Sequence, residues 1–155
     1  NATAGRAPSV SSNPMNVRAR YCTAPPPLTA DLAHDAWCTA PAYTLDRLWS
    51  GEPAPAALPT TARLFWTALH LWLSFECGYD ELDIDAPEQV DATAERVALW
   101  DRDVCEAFIR HPREPRPDSY KEFEVAPTGQ WCDLAIHRPR VDVDWRWNSG
   151  METAA

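Results

Sequence analysis

Six residues in the second half of the chain have side chains and spacing suited to holding a small polar molecule: Glu106, Tyr120, Glu122, Glu124, Trp131 and Asp133. A sugar ring presents an apolar C–H face and a rim of hydroxyls. Its binder therefore needs a flat aromatic surface beside oxygen acceptors, and tryptophan with carboxylates supplies both. The same carboxylates could serve a glycoside hydrolase, but that chemistry needs one raised pKa and a fixed separation across a cleft. Strand alternation supplies the carboxylates without a cleft, so binding is the first expectation.

These residues lie on segments that read as strands. In 101–109, Cys105, Ala107 and Ile109 share one face and Val104, Glu106 and Phe108 the other. In 119–126, Lys121, Phe123 and Val125 oppose Tyr120, Glu122 and Glu124. Pro127-Thr-Gly129 suits a hairpin turn, and 130–137 sends Cys132, Leu134 and Ile136 inward with Trp131, Asp133 and His137 outward. Sequential strands usually pair, which predicts one merged outer surface carrying Glu106, Tyr120, Glu122, Glu124, Trp131 and Asp133. A last strand over 141–147 puts Trp145 and Trp147 on one face, with core burial the default for at least one of them.

Earlier segments follow the same pattern. Residues 17–21 and 42–48 read as strands, and 60–68 and 69–79 as a hairpin turning near Thr67-Ala-Leu-His70. Trp37 reads as a core plug. Residues 80–97 are rich in Asp and Glu and read as a solvated loop with one helical turn; a calcium loop is the sharper alternative, although the spacing lacks the glycine-centred pattern of an EF-hand. Residues 1–16, rich in Ser, Pro and Ala, read as a loose lead-in to a single domain over 17–155.

Composition agrees. Fifteen prolines, five glycines and eight tryptophans in 155 residues disfavour helix interiors and favour half-buried pleated surfaces. A net charge of −9 argues against nucleic acid and anionic membranes as partners, and no apolar stretch reaches bilayer length. The five cysteines lack zinc-type spacing and read as small apolar residues; a Cys22–Cys38 bridge would require export.

The blocks 28–41, 60–66, 71–76, 99–109 and 120–127, in that order and spacing, resemble successive strands of a family 9 carbohydrate-binding module within the wider DOMON-like group. The most distinctive block is Trp100-x-x-Asp103-x-x-Glu106-x-Phe108. The resemblance implies an all-β antiparallel sandwich, jelly-roll-like, that binds the end of a plant-type polysaccharide without catalysis. Trp100 resembles one of two clamping tryptophans, Glu106 the carboxylate that bonds sugar hydroxyls, and Asp103 an acidic position of the family. Glu124 departs from the pattern, standing where sugar-binding members carry arginine, and Ala30 and Ala33 replace a commoner Gly and Asp. The second clamp tryptophan and the closing strands would follow Ala155, so the chain reads as lacking its C-terminal strands. A secreted or periplasmic location within a larger multidomain protein is the family habit. No cofactor is expected, with a structural calcium ion the one exception considered. The alternatives are a haem-binding DOMON-like domain, for which only Met15 and Met151 could supply methionine beside His70, His111 or His137, and a non-binding accessory sandwich.

Overall fold

The computed structural model describes residues 16–48 and 50–155. Most of the expected N-terminal lead-in, and Met15, lie outside the described residues. Among those described, regular structure is almost entirely strand. It falls into two four-stranded sheets belonging to two compact units, one formed up to Pro25 and over Asp35–Tyr79, the other by Pro26–His34 and Asp80–Ala155. The all-β expectation holds at this level.

The first unit is built on β3 (Thr60–Trp66). β4 (Leu71–Cys77) lies antiparallel along one side of it, while the other side takes β1 (Arg20–Tyr21), parallel, and β2 (Ala42–Leu45), antiparallel. The β3–β4 turn closes as expected at Thr67: its N–H donates to the His70 carbonyl at 2.8 Å, and its hydroxyl accepts the N–H groups of Leu69 and His70. Trp37, on the one-turn helix α1 (Asp35–Cys38), is buried and meets Phe65 edge-on at 4.6 Å. Phe65 stacks in turn on Trp72, its partner across the sheet, at 5.6 Å. This aromatic group makes the Trp72 face of β4 the packed one and leaves Leu71 and Leu73 the more exposed. Cys22 donates its thiol to the Ala24 carbonyl, and no Cys22–Cys38 bridge forms.

The second unit carries the predicted site. β5 (Cys105–Ile109), β6 (Tyr120–Val125), β7 (Trp131–Arg138) and β8 (Asp142–Asp144) form an antiparallel meander in that order. The β6–β7 hairpin turns at Pro127-Thr-Gly129 as expected. Gly129 sits at φ +81°, a left-handed conformation that suits a residue without Cβ, and Ala126 and Gln130 close the turn.

The register overturns the merged surface. Glu124 lies opposite Cys132, Glu122 opposite Leu134 and Tyr120 opposite Ile136, while Phe123 faces Asp133 and Val125 faces Trp131. Directly paired residues share a face. Glu106, Tyr120, Glu122 and Glu124 therefore stand on the same side as the buried Cys132, Leu134 and Ile136, and Trp131 and Asp133 on the other. Alternation fixed which residues of each strand go together, but polarity chose the wrong sides of β5 and β6 to face Cys132, Leu134 and Ile136.

The long acidic segment has one helical turn, Pro87–Gln89, as expected. Its buried carboxylate, Asp85, is held by two arginines and a glutamine. Asp85 accepts from Arg96 at 2.8 Å, Gln130 at 3.2 Å and Arg102 at 3.3 Å, and Arg102 also reaches Asp83 at 2.7 Å. Arg96, before Gln130 and Arg102, holds the Asp85 carboxyl down at about 2 against the opposing effect of burial. A depressed carboxylate pKa stabilises the fold above the unfolded value near 3.8, and that stability is lost as pH falls through about 2. Asp85→Ala should lower the melting temperature at pH 7 by on the order of 5–10 °C and remove this acid-dependent part of the melting curve, as read by calorimetric scans from pH 7 to 2.

Candidate functional site

The site is built on the edge strand β5, its neighbour β6, and the 3-10 turn Leu99–Asp101 that packs on β6. Ala98 precedes that turn at φ 61°, ψ 36°, left-handed backbone that a residue with a Cβ adopts at a cost of about 1–2 kcal/mol. Burial of the next side chain holds this conformation in place. Leu99 is driven into the core with Ala126, Cys132, Leu134 and Ile136, flanked by Val104, Tyr120 and Val143. Its neighbour Trp100 is thereby left 40 % exposed.

Trp100 has an aromatic partner that the sequence did not single out. Trp145, 47 % exposed, lies with its ring centroid 5.9 Å from that of Trp100, the planes tilted by 42°. A sugar clamped between two rings needs a contact of about 3.5–4 Å on each side. The pair is too close for a sugar to lie between the rings, and each ring keeps nearly half of its surface exposed. β8 ends at Asp144, so Trp145 and Trp147 do not share a strand face as expected. Trp147 instead meets Phe123 at 5.8 Å, with the Lys121 ammonium 5.3 Å from its ring centre.

Behind the turn, Glu106, Glu122 and Glu124 bring carboxylate oxygens within 4.8 Å of one another. Glu106 pairs with Glu124 across the sheet, and Glu122 stands two residues before Glu124 on the same face. Glu124 is only 1 % exposed, and neither of its oxygens has a hydrogen-bond partner. Burial first, then Glu122 and Glu106, push its carboxyl up to about 8, while the main-chain N–H of Trp100, too poorly placed to make a full hydrogen bond, weakly opposes the shift. Glu122 is raised mainly by burial, and Glu106 by burial and then by the charge of Glu122. Among the described residues, none of the three is paired with a basic side chain. The structure thus gathers three carboxyl groups and leaves the innermost one neutral or in need of a counter-charge.

The remaining expected site residues have other work. Tyr120 packs on the core and meets Phe108 edge-on at 5.6 Å; burial, then Glu122 and Glu106, raise its phenol. Asp103 accepts the N–H of Asp83 at 2.8 Å and returns its own N–H to the Asp83 carbonyl, which clamps the acidic loop to the start of β5. Trp131 stands on the opposite face, where its carbonyl accepts the Arg96 N–H. Asp133, also on that face and fully buried, takes both the N–H and the hydroxyl of Ser149 and so ties down the segment after β8. Neither Trp131 nor Asp133 joins the carboxyl group.

No family model matches this chain, and neither a curated protein nor a solved structure matches it.

Proposed function

We propose that the chain is a non-catalytic carbohydrate-binding domain whose sugar stacks on the Trp100–Trp145 platform and offers hydroxyls to the Glu106 carboxylate. The observation that carries this reading is a pair of half-exposed, mutually contacting tryptophans, Trp100 on the turn that packs against the glutamate-bearing strand β6 and Trp145 just after β8. Large exposed aromatics are uncommon without a partner to cover them, and the turn that carries Trp100 packs on β6, the neighbour of the strand that carries Glu106. The resemblance to family 9 modules supports the same assignment through Trp100 and Glu106, and with it a β-sandwich arrangement and work outside the cell in a larger polysaccharide-processing protein. The platform geometry differs from the two-sided clamp of that family. It favours one exposed sugar face, with dissociation constants in the micromolar to millimolar range.

A hydrolytic role is less well supported. The most strongly raised carboxyl, Glu124, has both oxygens shielded from solvent, so it cannot deliver a proton to a glycosidic oxygen. Aryl glycosides should be left intact by wild type and by Glu106→Gln alike; turnover abolished by that change would reverse the assignment.

The direct test is tryptophan fluorescence. Titration with xylan- and cellulose-type oligosaccharides should give a saturable change in emission that is mostly lost in Trp145→Ala, with the far-ultraviolet circular dichroism unchanged. A saturable change of undiminished size in that variant would place binding elsewhere, and no change in folded wild type would favour the non-binding accessory reading.

A further inference from the structure

We propose that Glu106, Glu122 and Glu124 together hold one divalent cation of calcium size. Two oxygens bound to the same calcium ion, each about 2.4 Å from it, can be no more than about 4.8 Å apart. The three carboxylates meet that limit in every pair. Magnesium, with bonds near 2.0–2.1 Å and a stricter octahedron, sets the limit nearer 4.2 Å and retains its water more firmly.

Acidic clusters on strands are common, but this one contains a group that ordinary solvation does not explain. Glu124 is only 1 % exposed, its side chain points into the cluster, and neither oxygen is satisfied. An isolated buried carboxylate is among the most costly groups in a fold, so its charge must be matched or removed. The surrounding side chains offer carboxylates, a phenol and the Cys132 thiol, which burial and Glu124 push up and which donates instead to Glu95 at 3.5 Å. A hard cation with oxygen ligands suits the set: Glu124 from below, Glu122 beside it, and Glu106 from the edge strand, the more open side through which an ion would enter. The network at Asp85 is a contrast within the same unit, since a buried carboxylate there has two arginines and a glutamine.

The cation site does not depend on sugar binding, and the test uses no sugar. Chelator-treated chain, dialysed at about pH 8.5 where protons compete least, is titrated calorimetrically with calcium chloride and, separately, magnesium chloride. The expected result is saturable binding of one calcium per chain, weaker binding of magnesium, and at least tenfold weaker calcium binding in both Glu124→Gln and Glu106→Gln. Glu106→Gln alters the more exposed position and so remains informative should the buried change perturb folding. No saturable calcium heat from folded wild type, or calcium binding that survives Glu106→Gln at full strength, would overturn the proposal.

Discussion

Replacing Glu124 by glutamine should make the domain more stable above pH 8, although the change removes a buried charge-bearing group. The folded carboxyl titrates at about 8, whereas the unfolded one titrates near 4.5. A raised carboxyl pKa means that the folded state keeps a proton the unfolded state has lost between those values. Stability is then fully present below about pH 4.5 and declines as pH rises through 8. For metal-free protein the loss should be on the order of 3–5 kcal/mol across that window. Glutamine has nearly the same shape, can donate to Glu122 and can accept from the Trp100 main chain, so it should abolish most of the slope while costing little near pH 5. Denaturant unfolding at pH 5, 7 and 9 with a chelator present reads the effect. Parallel pH profiles for wild type and variant would show that Glu124 is not the group responsible.

Leu99→Ala should have the second large effect, and on two properties at once. Leu99 is fully buried among Ala126, Cys132, Leu134 and Ile136, and removing its branched end leaves a cavity worth about 3 kcal/mol. The same side chain anchors the turn that presents Trp100 and holds Ala98 in left-handed backbone. Once the anchor is lost, the strain at Ala98 is free to relax. The Trp100 main chain should then shift away from Glu124, and the contact with Trp145 should loosen. The measurable result is a lower denaturation midpoint together with a weakened glycan response at temperatures where the variant is still folded. Destabilisation with an intact glycan response would mean that the turn is held by something other than Leu99.

Strand existence and the two tight turns were legible in the sequence because alternation and turn residues are local signals. Cys132, Leu134 and Ile136 are buried as expected, although Asp133 and Ala135 on the other face of β7 are buried too, and Pro127-Thr-Gly129 turns where glycine allows a positive φ. The pairing of faces was harder. β6 alternates Lys, Phe and Val with Tyr, Glu and Glu, so polarity pointed its glutamates outward. Yet the turn carried the answer: a hairpin closed by Ala126 and Gln130 necessarily sets Glu124 opposite Cys132. Loop geometry, carried through to register, outranked hydropathy here. Of the candidate site, Trp100, Glu106 and Glu124 were named from sequence, and the structure groups the two glutamates with Glu122 and brings the Trp100 main chain to Glu124. Trp145 was not named as a site residue, because a ring contact 45 residues away in sequence leaves no local trace. The arginine cage of Asp85 was missed for the same reason: its partners Arg96, Arg102 and Gln130 come from separate segments.

The measurement that bears most directly on the function is titration calorimetry of the folded chain with cellobiose, xylobiose and their borohydride-reduced forms, with Trp100→Ala alongside. Stacking on the platform predicts saturable heat from at least one of these sugars and a loss of at least tenfold in affinity in Trp100→Ala, with the melting temperature largely kept. Retention of binding by the reduced forms would show that the platform reads a sugar face, and its loss that the intact reducing end is recognised. Heat undiminished in Trp100→Ala, or no heat from any sugar with folded wild type, would contradict the assignment.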